Sequence, residues 1–563
     1  MALLDRALRR LSGVPTSPHH SSTSNIPPDP ISLPPAIPSV PAPVKIPRRP
    51  RSVNRSSFLS HLDAPLVRLS RHDDWTVRDA VAGTHIFGGN GSGKTTGSGQ
   101  TIAKAFLRAG FGGLVLCAKP DERQNWQRYA KECGRSKQLI IVSPDSPWRF
   151  NFIQYELGRP GDPATRVENL LSTLMNILEQ TGRERSSGED SFWQQAAELL
   201  LRNALMILAA AEWHFSLFDL QKFIDTAPLS ESQASGSDWQ QSECARYLNA
   251  ARAAFEAAGR NHDFAVLQNY WLVQFPRLAD RTRSSITFTL STILQDLQIG
   301  TMRELFSTGS NFFPEDTHEG AIIVLDLPAV LSRTHAVAQT LFKVVWQQAA
   351  LRRMATVDKH TRPIFLWADE AHFFVSPYDT SFQSLARATK AATVYMTQNL
   401  SAYHHRLPAK NAEAITNALL GYFQTQIFHA QADPKTIQHA QALFGKREIT
   451  RTNDSRSWTA GMNTSYGSGG GMSSSFSAGQ GQTTSSSGSN WNWSIGHGDS
   501  QSVTNGYSTS TTMEDVLQAH HFTSLRSGSD ADRGLSEAII FRTGRVWSNR
   551  ETFLHTQFSR HLA

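Results

Sequence analysis

Cysteine is almost missing from the sequence. Among 563 residues there are only Cys117, Cys133 and Cys244, an odd and widely spaced set that builds neither a disulfide framework nor a cysteine metal site and suits a reducing cytosol. Long apolar runs are missing as well. The longest, near Leu199 to Ala211, is cut by Arg202 and Asn203 and falls short of the ~20 residues a membrane-crossing helix needs, so no integral membrane segment is expected. A secretory leader is not expected either, because Asp5 and the Arg9-Arg10 pair interrupt what would be its apolar stretch. Away from the first 72 residues there is no charge excess of either sign. Those residues hold 10 Arg/Lys against 3 Asp/Glu, which accounts for the whole net charge of +7.

What is present begins with Gly88-Gly89-Asn90-Gly91-Ser92-Gly93-Lys94-Thr95 and the adjoining Thr96. A glycine, four free positions and Gly-Lys-Thr make a cradle for the phosphates of a nucleoside triphosphate. Glycines let the backbone turn its N–H groups inward, Lys94 supplies a point charge to the β/γ-phosphates, and the Thr95 hydroxyl can ligand Mg²⁺. The flanks fit: His85-Ile86-Phe87 reads as a short buried strand and Thr101 to Leu107 as a helix whose N-terminus faces the anion. ATP and Mg²⁺ are the expected ligands.

The basic tail holds 12 of the 26 prolines before Arg51 and should stay extended and unpacked up to about Phe58. Leu3, Leu4, Ala7, Leu8 and Leu11 fall on one helical face at its start, a docking element for a partner or an anionic membrane surface, or a frayed helix with no specific role.

From Asp74 onward, apolar runs alternate with helical patterns: Gly113 to Ala118, a helix through Trp126 and Tyr129, then Leu139 to Val142. Runs apolar on both faces predict an α/β fold with a parallel sheet covered by helices. Between Ala164 and Gly309 strand-like runs disappear, and Val167 to Leu178, Phe192 to Ala211 and Ser284 to Leu297 read as helices of an insertion. The α/β pattern resumes with Ala321 to Asp326, a helix near Ala336 to Met354, and Ile364-Phe365-Leu366-Trp367-Ala368-Asp369-Glu370.

Two adjacent acids ending a buried strand divide the labour that hydrolysis needs. Asp369 is placed to hold Mg²⁺ through its water shell and Glu370 to activate a water. Asp326 also ends a strand and is a rival metal ligand, but no acid comes after it. A further strand, Thr393 to Thr397, ends at Gln398, whose amide is placed to sense the γ-phosphate. The fold class expected is a P-loop NTPase, RecA-like, with an added catalytic Glu and an inserted all-α domain.

Taken together, Thr84 to Phe87 leading into the phosphate loop, Lys119-Pro120-Asp121, the helical insertion, Asp369-Glu370, Arg387, Gln398 and Asp433-Pro434-Lys435-Thr436 resemble the type IV secretion coupling proteins within the FtsK/HerA group. The resemblance covers about Trp75 to Thr450. It implies a homo-hexameric ATPase with a central channel that brings relaxase-bound single-stranded DNA, or secreted proteins, to the components of a type IV secretion channel. It also implies that Arg387 reaches the nucleotide of a neighbouring subunit. Many members carry an N-terminal membrane anchor where this chain has its Pro-rich tail, so a cytoplasmic location is expected, with any membrane attachment made through partners.

Asp369-Glu370-Ala371-His372 also spells a helicase box. No Gln-x-x-Gly-Arg-x-Gly-Arg element comes after it, however, and a whole domain's length separates it from Lys94. From Thr452 to Thr512, Ser, Gly, Thr, Asn and Gln dominate, with Trp458, Tyr466, Phe476, Trp491, Trp493 and Tyr507 scattered among them. Such a stretch cannot pack a core and is expected to be disordered. Its aromatics suit base stacking, but it has almost no Lys or Arg to supply the electrostatic part of nucleic-acid binding.

The expected organisation is therefore a disordered tail over 1–73 and an all-α insertion over 161–312. The nucleotide-binding domain would occupy 74–160, 313–450 and 513–563, with a disordered Ser/Gly-rich insertion over 451–512. Three function classes stay open: a DNA-translocating coupling ATPase, a receptor ATPase for protein effectors, and a soluble ring motor serving DNA processing, packaging or defence. Lys94, Thr95, Asp369 and Glu370 together argue against a non-hydrolysing scaffold.

Overall fold

The computed structural model describes residues 58–181, 190–211, 215–407, 411–462, 471–479, 482–495, 499–529 and 532–559. Most of the tail, including its amphipathic start, lies outside them. Residues 58–73, assigned to the tail from sequence, are structured. Strand β1 (Pro65–Arg68) pairs antiparallel with β2 (Asp74–Thr76), and Trp75 is buried against Phe106.

The main sheet takes β3 (Thr84–Phe87), β4 (Gly112–Leu116), β5 (Leu139–Val142), β6 (Ile322–Leu325), β7 (Ile364–Ala368), β8 (Ala391–Thr397) and β9 (Thr425–Phe428). A separate sheet takes β10 (Lys446–Met462), β11 (Gly471–Gly479), β12 (Gln482–Ile495) and β13 (Asp499–Asp515), and the chain ends on β14 (Leu535–Arg542) and β15 (Phe553–Ser559). In space the main sheet runs β15-β14-β9-β3-β8-β7-β4-β6-β5. The seven strands from β9 to β5 are parallel, as expected, whereas β14 and β15 add an antiparallel edge. The antiparallel pairing of β14 with β15 results from their short connection, since a parallel return needs a crossover of a dozen residues or more.

Alternation along the strands fills two apolar layers. In β4 Leu114 and Leu116 belong to one and Val115 to the other; in β7 Ile364, Leu366 and Ala368 face one side, Phe365 and Trp367 the opposite. Burial on both faces explains why these runs read as continuously apolar. Phe365 stacks on Phe106 and Trp126, which locks the helices Gln100–Arg108 and Glu122–Glu132 onto one face. Each fully buried ring is worth roughly 2 to 3 kcal/mol.

Between β5 and β6 every described element is helical, including Pro163–Thr181, Asp190–Ala211 and Asp280–Gln298. These helices share the apolar layer that contains Leu114 and Leu366, so the insertion continues the core on that face.

The Ser/Gly-rich stretch, expected to be disordered, forms strands where it is described; residues 463–470, 480–481 and 496–498 lie outside the described residues. Strands β10 and β13 pair antiparallel over 17 residues, from Lys446↔Asp515 to Met462↔Asp499, and β12 and β11 complete a four-stranded sheet in the order β10-β13-β12-β11. A composition unable to build a core can still close a ladder. The stretch has no proline, Ser, Thr and aromatic residues tolerate extended backbone, and the ladder hydrogen bonds satisfy the backbone.

Candidate nucleotide site

The phosphate loop leaves the C-terminal end of β3, and after Lys94 the chain turns at once into a helix, first a wide turn over Thr95–Gly99 and then Gln100–Arg108. Gly91 and Gly93 adopt φ of 72° and 86°, the left-handed region that glycine enters without penalty. Gly93 is also sterically required, because a Cβ there would lie 2.6 Å from the Ser536 Cβ and 2.7 Å from the Ser527 carbonyl oxygen. The C-terminal strands thus press directly on the loop. Beneath it Ser98 Oγ and His429 Nε2 are 2.7 Å apart, and burial pushes His429 down to about 3.

Strand β8 lies between β3 and β7, and the carboxylates that end β7 come up beside the loop. The Thr95 hydroxyl donates to Asp369 Oδ2 at 2.8 Å, while Asp369 Oδ1 accepts the Glu370 backbone N–H at 2.9 Å. A hydroxyl and a carboxylate side by side form an oxygen-only donor set. That set fits Mg²⁺, which keeps most of its waters and takes one or two protein oxygens alongside substrate phosphates. Among the described residues there is no cluster of three or more His, Cys, Asp and Glu able to hold a metal by itself, so phosphate and water oxygens would complete the shell.

Glu370 is the convergence point. Its Oε1 accepts from Lys119 Nζ at 2.9 Å, Gln398 Nε2 at 3.2 Å and Lys94 Nζ at 3.3 Å. Its Oε2 is buried with no hydrogen-bond partner. Burial raises this carboxyl's pKa, but Lys94, Lys119 and Gln398 together outweigh it and hold the group below its ordinary value. Glu370 also sits at φ 48° and ψ 49°, a left-handed conformation costly for a residue with a Cβ, and strain of this kind gathers at working sites. His372 Nδ1 lies 3.8 Å from Oε2, and burial pushes that imidazole down to about 4, leaving it neutral near pH 7.

Lys94, Thr95, Asp369, Glu370 and Gln398, chosen from sequence, therefore meet at one place. Two others do not. Asp326 is paired with Arg123 at 3.0 Å rather than with Thr95. Arg387 is exposed and begins the turn Arg387–Thr389 just before β8. It thus stands at the opposite end of that seven-residue strand from Gln398, roughly 20 Å away at the usual rise per residue.

Sequence reasoning missed Lys119 and Glu122 as site residues. Both come after β4, the strand beside β7, and the buried Glu122 carboxylate accepts the backbone N–H groups of Ala118 and Lys119 at 3.2 and 3.0 Å. Burial and the nearby Asp369 raise the pKa of Glu122 well above the ordinary range. Lys119-Pro120-Asp121 was part of the family pattern but signalled no role. Ser98, His429 and Gln431, whose side chain donates to the Gln398 carbonyl at 2.6 Å, gave no local signal at all.

Residues 264–474 match the family model described as the type IV secretion-system coupling protein DNA-binding domain. The chain's fold is that of the bacterial conjugative coupling protein TrwBdeltaN70 in its unbound monoclinic form, at 12% identity and a TM-score of 0.50 over 90% of this chain and 92% of that one. The plasmid coupling protein TrwB in complex with the non-hydrolysable ATP analogue ADPNP is similar over 90% of this chain and 93% of that one, at 12% identity and a TM-score of 0.49. No curated protein sequence matches the chain. Among the described residues no helix is long and apolar enough to cross a membrane.

Proposed function

We propose that the chain is a Mg²⁺-dependent ATPase motor that recruits DNA, as a relaxase-bound single strand, and drives it toward a type IV secretion channel. The observation that carries the reading is the convergence of Lys94, Lys119 and Gln398 on one oxygen of Glu370 while its other oxygen is buried and unpartnered. Thr95 and Asp369 would hold Mg²⁺, which neutralises charge on the β- and γ-phosphates. Lys94 would move onto those phosphates, leaving Glu370 to take a proton from water at Oε2. The water oxygen bonds to the γ-phosphorus as the bond to the bridging oxygen breaks, giving ADP, phosphate and one proton. Gln398, beside Glu370, is placed to register whether the γ-phosphate is present.

DNA is favoured over secreted proteins as cargo because the matched family model is a DNA-binding domain. A homo-hexamer is favoured by the exposed Arg387, which stands at the far end of the sheet from its own loop and so would serve a neighbour's. The same motor acting in the cytoplasm on DNA processing, packaging or defence is the alternative. Measuring ATP turnover of the purified protein with and without single-stranded DNA tests the proposal. Strong stimulation is expected, and turnover indifferent to DNA would remove the translocase reading.

A further inference from the structure

We propose that Lys119 is a positioning residue for the hydrolytic step, one that clamps Oε1 of Glu370 so that Oε2 faces the attacking water. The inference rests on the reading of Glu370 as the base. Three donors share Oε1, yet they are not equivalent. Lys94 belongs to the phosphate loop and is committed to the nucleotide, and Gln398 is neutral. Lys119 is the remaining cation, and it makes the shortest of the three contacts at 2.9 Å.

Burial sets the need for it. The Glu370 side chain is 2% exposed, and a carboxylate so enclosed is strongly disfavoured unless a cation stays with it. When Lys94 turns to the phosphates, Lys119 keeps the charge compensated and stops Glu370 from moving with Lys94 toward them. Its own side chain is 38% exposed, so it reaches the carboxylate from the open side without being part of the core.

The fold delivers Lys119 by a route that does not depend on its ammonium. Strand β4 adjoins β7 in register, Leu116 beside Ala368, so the residues just past the two strand ends are neighbours. Glu122 then fixes the turn by accepting the backbone N–H groups of Ala118 and Lys119. Substituting the side chain should leave this turn standing.

The test is steady-state ATP turnover together with binding of a fluorescent ATP analogue, using the full chain. Lys119→Ala should lower kcat roughly 10- to 100-fold while analogue affinity stays within about twofold, and Lys119→Arg should recover a substantial part of the loss. In a Glu370→Gln background, Lys119→Ala should lower the residual turnover no further, because the two act as one unit. Retained analogue binding also reports that the variant is folded. Wild-type kcat in Lys119→Ala would overturn the proposal. So would weakened analogue binding with kcat preserved, which would make Lys119 a phosphate ligand, or an equal loss in Lys119→Arg. If instead Glu370→Gln itself turned over normally, the base assignment would be what had failed.

Discussion

Thr95 Oγ1 and Asp369 Oδ2 lie 2.8 Å apart although 274 positions separate them in the chain. The contact is a product of strand order. Strands β3 and β7 flank β8, all three parallel, so the residues just past each strand's C-terminal end emerge at the same edge, and the phosphate loop meets the acids there. An entire helical insertion is accommodated between them without disturbing that edge, because it leaves the sheet after β5 and returns at β6.

The strongest consequence concerns Glu370. Glu370→Gln should cut ATP turnover to a small residue, a loss on the order of 10² to 10⁴ for a general base, while nucleotide binding persists because the carboxylate acts on water. Lys94→Ala should weaken both. Turnover and equilibrium nucleotide binding, measured side by side, check the separation, and Glu370→Gln running at the wild-type rate would sink the assignment.

Asp369→Asn and Thr95→Ala should each raise the Mg²⁺ concentration needed for half-maximal turnover, since each removes or weakens one oxygen of the inferred pair. A Mg²⁺ titration reads this directly. Unchanged Mg²⁺ dependence in both variants would mean that the metal is held elsewhere.

Arg387 invites a mixing experiment. A guanidinium supplied to the transferring phosphoryl group is worth ~10³ to 10⁵ in rate in GTPases, so Arg387→Ala and Lys94→Ala should each be inactive alone. Mixed, they should regain partial activity, because some interfaces then pair an intact loop with an intact arginine. No recovery in rings shown to exchange subunits would place Arg387 outside the chemistry.

Gly93→Ala should cripple nucleotide binding. The left-handed backbone at this position costs a residue with a Cβ about 1 to 2 kcal/mol, and the added methyl would meet Ser536 and the Ser527 carbonyl. Gly91→Ala carries the same backbone cost but meets no atom within 4 Å, so it should be the milder variant. Equal nucleotide affinities for the two would show that the C-terminal strands do not press on the loop.

Acid should destabilise the protein partly through His429. Its folded pKa is pushed from 6.5 to about 3 by burial, so below pH 6.5 the unfolded chain takes up a proton that the folded one refuses. Stability is therefore unaffected by this group well above pH 6.5 and falls steadily as pH drops from there toward 3. Thermal midpoints measured across that range should decline less steeply in His429→Gln than in the parent. Parallel declines would assign the acid sensitivity to other groups.

The phosphate loop was legible before any fold was known, because Gly-rich backbone leading into Lys94 and Thr95 is chemistry written in consecutive residues. The parallel strands were legible for a similar reason, since burial on both faces leaves unbroken apolar runs such as Ile364 to Ala368. The same reading placed the acids at the end of that run and Gln398 at the end of the next. The three-dimensional arrangement alone shows that Lys119 shares Glu370 with Lys94, that Asp326 pairs with Arg123, and that Arg387 stands at the far end of the sheet. Those outcomes depend on which strands become neighbours, a matter of long-range packing that no local pattern encodes. The stretch from Lys446 to Asp515 misled in the opposite direction. Composition reports whether a segment can bury a core, but a β-ladder is held by backbone hydrogen bonds that every residue except proline can both donate and accept, and so its strands were invisible in side chains chosen for polarity.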